Sequence, residues 1–342
     1  MTAAPEPGPE GAEEGCGTGG RRSQQPELVI GLVNNMPDSA LASTERQFCS
    51  LLYETGRGVE VRFFAVPGVP RGDAARLQMA GRYRSTEDLS PGEVDGLIVT
   101  GTEPRSARLE DEPYWDGMTD LIKWAEDNTP STIWSCLAAQ AAVQHIDGIR
   151  RRRFDSKLCG LLESQRASDH PLTADMPSRW RAPHSRHNDL PADDLVRSGY
   201  RVLWRSRLGG ADIFAKQRRS LFVLFQNHPE YDHGALGREY RRDVERFLTG
   251  VASFYPNMPH DYFDGATKAA MLEFQARAVH APSKELFAEF PSLGANPADR
   301  SDWYAPAART FANWLDFIAA SRRDRKAPVA AFRGSGERAL RA

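Results

Sequence analysis

The sequence predicts an α/β fold in which a doubly wound, mostly parallel sheet is covered by helices. The first observation is a series of short apolar runs bounded by turn residues, which are typical of strands buried on both faces. The second is that stretches with apolar residues at helical spacing separate most of these runs. The third is that several runs end in glycine or in reactive side chains, as strands do at the binding edge of open α/β sheets.

The first half of the chain alternates predicted strands with predicted helices. The strands cover residues 28–33, 59–64, 94–100 and 132–134. One helix follows the first strand with a buried stripe from Ala40 to Leu52, a second covers 114–125, and a third begins directly after Cys136. Residues 71–93 are polar and carry little periodic signal, so no element is predicted there.

The second half predicts a strand, a β-meander and two amphipathic helices. The strand is 157–162, the meander is 200–204 and 211–215 and leads into a strand at 221–225, and the helices are 237–248 and 301–320. The four consecutive arginines at 150–153 are typical of a solvated surface turn. Residues 182–187 contain two histidines and an arginine, and we predict a polar loop there, although such a cluster can also bind an anion or a metal.

Composition restricts the function classes. The net charge of −2 argues against a protein that binds nucleic acid or another polyanion in bulk. The four cysteines lack the paired spacing of a zinc site, and no metal is predicted. No apolar run approaches the roughly 20 residues needed to span a bilayer, and the N-terminus lacks a secretion signal. These features predict a cytoplasmic protein that binds no nucleic acid and no membrane.

The two ends of the chain differ in composition from the rest. Residues 1–26 are rich in proline, glycine, glutamate and alanine and have almost nothing to bury, so a disordered leader is predicted. Residues 27–320 are predicted to form a single domain. The basic tail, 321–342, is predicted to be disordered.

Cys136 occupies the most informative position in the sequence. An apolar run around Trp134 ends just before it, and small helix-favouring residues follow it, as in a strand that turns sharply into a helix. A thiol at such a turn projects from the carboxyl edge of the sheet, where the positive end of the helix favours the thiolate. The backbone N–H of Leu137 is free there to hold a developing oxyanion. The alternative is a structural cysteine that packs as a small hydrophobe.

A partner base follows the strand at 221–225. Pro229 fixes the backbone where that strand should end, so His228 and Glu230 can lie on one side of an extended turn. A histidine near a thiol can take its proton, and a neighbouring carboxylate fixes its tautomer and stabilises the imidazolium. Gly101, at another predicted strand end, lets backbone approach a ligand closely. These residues predict nucleophilic catalysis; the alternatives are a solvated turn and an ordinary strand-to-helix turn.

Taken in order, these motifs resemble those of the homoserine O-acyltransferase family, whose flavodoxin-like fold is related to the class I glutamine amidotransferases. The resemblance covers residues 28–320 and rests on Asn34-x-Met-Pro37, Leu97-Ile-Val-Thr-Gly101, Tyr114-Trp115, Cys136-x-Ala-x-Gln-Ala141, Lys157-Leu158, Ala182-Pro-His-Ser-Arg186, His228-Pro-Glu-Tyr-Asp232, Arg242-Asp-Val244 and Asn313-Trp-Leu315. It implies transfer of an acyl group to the hydroxyl of L-homoserine in methionine biosynthesis. The co-substrate is then succinyl-CoA or acetyl-CoA, with no bound cofactor, and a homodimer is expected.

The resemblance implies roles for individual positions. Cys136 is similar to the acyl-thioester nucleophile of the family, His228 to its general base and Glu230 to its orienting carboxylate. The positions that bind substrate in the family are matched by Lys157, Ser185 and Arg242. The guanidinium fork of Arg242 suits the carboxylate of the amino acid, because it can pair with it bidentately.

Two departures from the family leave the donor and the acceptor open. Lysines usually follow Met-Pro in the family, where this chain has Asp38 and Ser39. The loop after Gly101 usually has a glycine or a glutamate where this chain has Arg105. Arg105 could pair with the free carboxylate of a dicarboxylic donor, which favours succinyl over acetyl. Serine or another hydroxy amino acid stays open as the acceptor.

The expected reaction is ping-pong acyl transfer through an acyl-cysteine. Its oxyanion would form against the backbone N–H of Leu137 and a backbone donor of the Gly101 loop. A glutamine amidotransferase is one alternative, because it uses the same triad to release ammonia; glycines usually flank its nucleophile, where Trp134 and Ala138 stand here. A non-enzymatic relative that keeps the fold for ligand sensing or assembly is the other, although it would not need an intact triad.

Overall fold

The computed structural model describes residues 27–293 and 303–326. The strands are β1 (Leu28–Val33), β2 (Val59–Ala65), β3 (Tyr83–Ser85), β4 (Gly96–Val99), β5 (Ser131–Ser135), β6 (Arg152–Arg166), β7 (Arg179–Asp189), β8 (Arg201–Ser206), β9 (Gly210–Gln217) and β10 (Leu221–Phe225). The helices are α1 (Leu41–Glu54), α2 (Asp73–Met79), α3 (Trp115–Asn128), α4 (Leu137–Asp147), α5 (Ala192–Arg197), α6 (Ala235–Leu248), α7 (Gly265–His280) and α8 (Tyr304–Lys326). The strands form one ten-stranded sheet in the order β3-β2-β1-β4-β5-β10-β9-β8-β6-β7.

The part of the sheet from β3 to β10 is parallel, which confirms the predicted fold class. β1 pairs with β2 on one side and with β4 on the other, so the strand order changes direction there. β3 extends the sheet beyond β2, and β5 and β10 extend it beyond β4. The carboxyl ends of these strands meet at one edge of the sheet, which is where open α/β sheets bind their ligands.

Helices cover both faces of the parallel part because its strands are apolar on both sides. Ile98 and Ile133 pack on one face with residues of α1 and α8. Leu97 and Trp134 pack on the other face with residues of α3 and α4. All four side chains are fully buried, and burial of a large apolar side chain stabilises a fold by about 1.5–3 kcal/mol. This packing fixes the positions of the carboxyl ends of β4 and β5 at the edge of the sheet.

The rest of the sheet is antiparallel. β9 pairs with β10, β8 with β9, β6 with β8, and β7 with β6. The predicted β-meander is confirmed as β8 and β9. β6 is longer than the predicted strand 157–162, and its register against β7 shifts between Arg153 and Leu158.

Two predictions for polar segments are wrong. Residues 182–187 lie in β7 and not in a loop. The buried Arg186 donates to Asp189 Oδ1 at 2.9 Å and to Gln226 Oε1 at 3.3 Å, so its charge is satisfied inside the sheet. The arginine run at 150–153 is not a turn throughout, because its second half begins β6. Polar residues can occupy a buried or edge strand where partners on other strands satisfy them.

The structure also contains elements that the sequence did not predict. α2 and β3 lie within residues 71–93, and α7 packs against α6 in a small separate apolar cluster. α8 continues through Lys326, beyond the predicted start of the tail, and residues 321–326 contain no glycine or proline that would break it. The predicted leader, 1–26, lies outside the described residues. In the described ranges, none of the helices combines the length and the apolar character that a membrane span requires.

Candidate active site

Cys136 sits at a sharp turn between β5 and α4, as predicted. Its backbone has φ 54° and ψ −112°, a conformation that costs free energy in a residue other than glycine. The turn is held in place because the Cys136 N–H donates to the carbonyl of Phe225, at the end of β10, over 2.7 Å. The side chain is partly exposed. The strained turn therefore presents the thiol at the carboxyl edge of the sheet.

The backbone of Gly101 lies directly against the start of α4. A Cβ added at Gly101 would lie 2.7 Å from the Cβ of Leu137 and 2.9 Å from its backbone nitrogen. A side chain at this position would therefore displace either the loop or the helix. The two positions predicted to supply oxyanion donors are brought together, beside Cys136.

The loop that contains Gly101 is anchored by a buried amide that the sequence did not single out. Asn35 Nδ2 donates to the carbonyl of Thr100 at 3.0 Å, and the Asn35 N–H donates to Thr100 Oγ1 at 2.8 Å. Asn35 Oδ1 accepts the N–H of Val66 at 3.0 Å. One side chain thus ties together the ends of β1, β4 and β2, at the point where the strand order changes direction. The position of Asn35 just after the first predicted strand was the sequence signal that could have identified it.

We expect Gly101→Ala to slow acylation of Cys136 by about 10- to 100-fold, because the new methyl group pushes the loop away from Leu137 and misplaces an oxyanion donor. The rate of formation of the acyl-enzyme in a single turnover measures the effect. Gly265→Ala is the matched control, because a Cβ there meets nothing within 4 Å. An unchanged acylation rate in folded Gly101→Ala would show that this backbone does not contribute to the site.

His228 and Glu230 form a buried pair next to Cys136. The distance from His228 Nδ1 to Glu230 Oε1 is 2.8 Å, and both residues are buried. The Cys136 side chain lies close enough to His228 to act on the pKa of its ring. Its backbone N–H donates to the carbonyl of Pro183 on β7 at 2.8 Å, which fixes the ring relative to the sheet. The nucleophile, the base and the carboxylate are therefore arranged in the predicted order, Cys136, His228 and Glu230.

The electrostatics of this pair favour a protonated imidazole. Burial alone lowers the pKa of His228, but the charge of Glu230 and the hydrogen bonds to Cys136 and Glu230 raise that pKa well above its ordinary value. A proton given up by the thiol is thus retained on the ring. The ring also stacks on Tyr231 with 4.4 Å between the centroids.

The three predicted substrate residues meet on the other side of the triad, around a carboxylate that the sequence did not single out. Lys157 Nζ lies 3.0 Å from Glu239 Oε2 and 2.8 Å from Asp243 Oδ2. The Ser185 hydroxyl donates to the same oxygen of Glu239. Arg242 pairs with Asp243 Oδ1 at 2.8 Å and lies 4.0 Å from Glu239. Two cations and two anions thus form one cluster.

Glu239 is the centre of this cluster and connects it to the triad. Burial raises the pKa of Glu239, but Lys157 and the hydrogen bonds from Ser185 and Tyr231 lower it to about 2. Tyr231 donates its hydroxyl to Glu239 and stacks on His228, so it bridges the two groups. Glu239 and Arg242 are three residues apart on an amphipathic helix, and this spacing was the signal that could have found Glu239.

The loop that contains Arg105 is held at both ends. Glu112 Oε1 accepts the backbone N–H groups of Arg105 and Ser106 at 2.7 and 2.6 Å. Glu103 forms two hydrogen bonds with Arg246 on α6, at 2.8 and 3.0 Å. The Arg105 side chain is exposed and makes no hydrogen bond or ion pair with any residue in the described ranges. These contacts place this loop between Glu112 and α6, the helix on which Glu239 and Arg242 lie.

Comparison with known proteins gives a consistent result across the chain. The sequence model of the family "Homoserine O-succinyltransferase" matches residues 19–324. A protein from Rhodopseudomonas palustris named homoserine O-succinyltransferase is 46% identical over 314 residues, covering 91% of this chain and 94% of that protein. A protein of the same name from Methylorubrum extorquens is 42% identical over 294 residues, covering 86% of this chain and 88% of that protein.

Solved structures support the fold. A glutamine amidotransferase from Methylobacillus flagellatus superposes with a TM-score of 0.50, at 13% sequence identity, over 86% of this chain and 96% of that one. At this identity the likeness concerns the fold alone. It confirms the predicted fold, which is that of a glutamine amidotransferase.

Proposed function

The chain belongs to the homoserine O-succinyltransferase family, and from this premise we propose that it transfers a succinyl group from succinyl-CoA to the hydroxyl of L-homoserine through an acyl-cysteine at Cys136. One observation carries the proposal. The Cys136–His228–Glu230 series lies beside the closely packed backbone of Gly101 and Leu137, and Tyr231 connects it to a charged cluster that suits an amino acid. The relatives named above support succinyl as the acyl group and homoserine as its acceptor.

In the first half-reaction, the Cys136 sulfur attacks the thioester carbon of succinyl-CoA. His228 holds the proton that the thiol gave up, and Glu230 stabilises the imidazolium. The tetrahedral oxyanion is held by the N–H groups at Leu137 and in the Gly101 loop. The carbon–sulfur bond to CoA then breaks, His228 returns the proton to the CoA thiolate, and succinyl-cysteine remains.

The charged cluster suits the zwitterion of the acceptor amino acid. Arg242 lies on the partly exposed side of the cluster and can donate two parallel hydrogen bonds to the α-carboxylate. Glu239 and Asp243 are acceptor-only groups and can bind the α-ammonium, with Lys157 keeping the cluster close to neutral. The amino acid would then replace contacts that the charged side chains now make with one another.

In the second half-reaction, the homoserine hydroxyl attacks the acyl-cysteine. His228, neutral once the proton has left with CoA, takes the hydroxyl proton as the new carbon–oxygen bond forms. Breakdown of the tetrahedral intermediate returns the thiolate of Cys136, paired again with protonated His228. Tyr231 contacts both His228 and Glu239, so the general base and the proposed acceptor site are connected through one side chain.

The proposal is tested by incubating the protein separately with succinyl-CoA and acetyl-CoA and measuring the mass added to Cys136 by intact and peptide mass spectrometry. We expect a succinyl adduct that disappears when L-homoserine is added, with O-succinylhomoserine as product. L-serine tests the acceptor, and L-glutamine with ammonia detection tests amidotransferase activity. A preference for acetyl-CoA, or ammonia release without an acyl adduct, would contradict the proposal.

We expect Arg242→Lys to raise the KM for homoserine by about 10-fold or more and to change the KM for succinyl-CoA little, because lysine keeps the charge and loses the bidentate fork. Steady-state kinetics with each substrate varied in turn measures both constants. Arg241→Lys is the control, because the exposed Arg241 on the same helix lies over the ring of Phe287, at 5.0 Å from its centroid. An unchanged KM for homoserine would place the carboxylate site elsewhere.

A further inference from the structure

Arg151, the second arginine of the 150–153 run, differs from its neighbours in the run. Arg150 and Arg152 are about 70% exposed and pair with surface carboxylates, Glu110 at 3.5 Å and Asp194 at 3.1 Å. Arg151 is partly buried instead, where the chain leaves α4 and approaches β6. The run thus contains one guanidinium that is directed into the molecule.

A hydrogen bond connects Arg151 to the helix that begins at the nucleophile. Its Nη1 donates to Gln140 Oε1 at 3.3 Å, and Gln140 is buried in the first turn of α4. The backbone N–H of Gln140 in turn donates to the carbonyl of Cys136 at 3.1 Å. Gln140 therefore lies one helical turn from Cys136, about 6 Å along the helix axis.

The guanidinium of Arg151 makes no ion pair among residues 27–293 and 303–323, although Glu112 lies close enough for its charge to act on it. No carboxylate there lies within 4.0 Å of it, and its other two nitrogens make no hydrogen bond in these ranges. The neighbouring Glu112 already holds the backbone N–H groups of Arg105 and Ser106 with one oxygen. Burial lowers the pKa of Arg151 below its ordinary value, and the nearby Tyr114, Glu112 and Cys136 offset only part of that shift.

Arg151 is a partly buried cation without a carboxylate within 4.0 Å, hydrogen-bonded to a residue one helical turn from Cys136, and this arrangement suits a dicarboxylic acyl group. Two methylenes separate the two carbonyl carbons of a succinyl group by about 4 Å when the chain is extended, the span of three single bonds. We propose that Arg151 binds the free carboxylate of the succinyl group while the thioester carbon lies at Cys136. This inference rests on the proposed function and names the residue that selects the acyl group.

Arg105, at the position associated with donor choice in the family, is the rival for this role. Its side chain is exposed, and only its backbone has a described partner, Glu112. A carboxylate paired with Arg151 would be less exposed to water than one paired with Arg105, and would gain more from the ion pair. An acetyl group has no carboxylate and would leave Arg151 unpaired, so the site discriminates against it.

The experiment compares succinyl-CoA and acetyl-CoA in single-turnover acylation of Cys136. For Arg151→Gln we expect acylation by succinyl-CoA, measured as the second-order rate constant at low donor concentration, to fall about 10- to 100-fold. Acylation by acetyl-CoA should fall far less, so the preference for succinyl collapses. Arg151→Lys keeps the charge and should retain an intermediate preference. Arg152→Gln, in the same run, is the control and should leave both rates unchanged.

Any different outcome would overturn the inference, and the pattern of rates shows why. An equal loss with both donors would mean that Arg151 acts on Cys136 or on the fold. A lost preference in Arg105→Gln, with Arg151→Gln unaffected, would assign the role to Arg105. Circular dichroism and the rate of acylation by acetyl-CoA show whether Arg151→Gln is folded. If Arg151→Gln does not fold, the donor preference of Arg151→Lys is used to test the inference. If the wild-type protein forms no succinyl-cysteine, the proposed function itself fails; if it does and Arg151→Gln keeps the preference, only this inference fails.

Discussion

Replacing Cys136 with serine is expected to abolish succinyl transfer while leaving the fold intact. A hydroxyl is close in size to a thiol but ionises far less readily, so the His228–Glu230 pair cannot generate a comparable nucleophile from it. We expect kcat to fall by at least about 10³-fold, as when other catalytic nucleophiles are removed. The measurement is O-succinylhomoserine formation at saturating substrates, together with the mass of the enzyme after incubation with succinyl-CoA.

Cys49→Ser is the matched control for this variant. Cys49 is also a partly exposed cysteine, but it lies on α1 and away from the turn at β5. Only Cys136→Ser should lose both product formation and the acyl adduct, with both variants showing the wild-type circular dichroism spectrum. Near wild-type turnover in Cys136→Ser would make Cys136 a structural residue and remove the acyl-cysteine from the mechanism.

The parallel part of the sheet was predictable because its strands carry their own signal. β1, β4 and β10 are buried on both faces and occur in the sequence as nearly continuous apolar runs, and the equally buried β5 carries Ile133 and Trp134 at its centre. The elements that were missed have little apolar surface to bury. β3 has three residues, none of them fully buried, and α7 buries only Met271, Phe274 and Ala278. Short or weakly buried elements are stabilised mainly by neighbours distant in sequence.

β7 shows why a polar segment could be mistaken for a loop. His184 is completely buried and lies 3.5 Å from Asp212, which is itself hydrogen-bonded by Ser206 at 2.8 Å. Burial raises the pKa of Asp212 to about 7, although hydrogen bonds from Ser164 and Ser206 oppose the shift. The partners come from three other strands, β6, β8 and β9. A sequence pattern contains none of these pairings, so the segment is indistinguishable from a solvated loop until the sheet is assembled.

The residues of the candidate site likewise fall into those that the sequence predicts and those that only the structure reveals. Cys136, His228 and Glu230 each follow an apolar strand, so local patterns were enough to select them. Glu239 and Arg151 could be selected only from their contacts with residues distant in sequence. Glu239 pairs with Lys157, 82 positions away, and Arg151 donates to Gln140, 11 positions away. Such contacts follow from the register of the sheet and the path of the loops, and neither is encoded in a short motif.

Glu230→Gln is expected to cut kcat by roughly 10²–10⁴-fold, as orienting carboxylates do in related triads. Glu230 Oε1 accepts from His228 Nδ1 at 2.8 Å inside the protein, so its charge is poorly screened and stabilises the imidazolium. Glutamine removes that charge at almost constant shape, and its amide can instead donate to Nδ1 and hold the wrong tautomer. Both half-reactions should slow, because His228 carries a proton in each of them.

Two rates separate this role from a purely structural one: single-turnover acylation of Cys136 by succinyl-CoA, and transfer from the isolated acyl-enzyme to homoserine. Glu245→Gln, an exposed position on α6, makes the same chemical change outside the triad and should leave both rates unaltered. Loss of charge also predicts that the pKa of His228, followed by NMR, falls towards its ordinary value, since the Glu230 carboxylate is a principal group that raises it. A folded Glu230→Gln protein with both rates within about threefold of wild type would remove Glu230 from the triad and leave His228 to act with Cys136 alone.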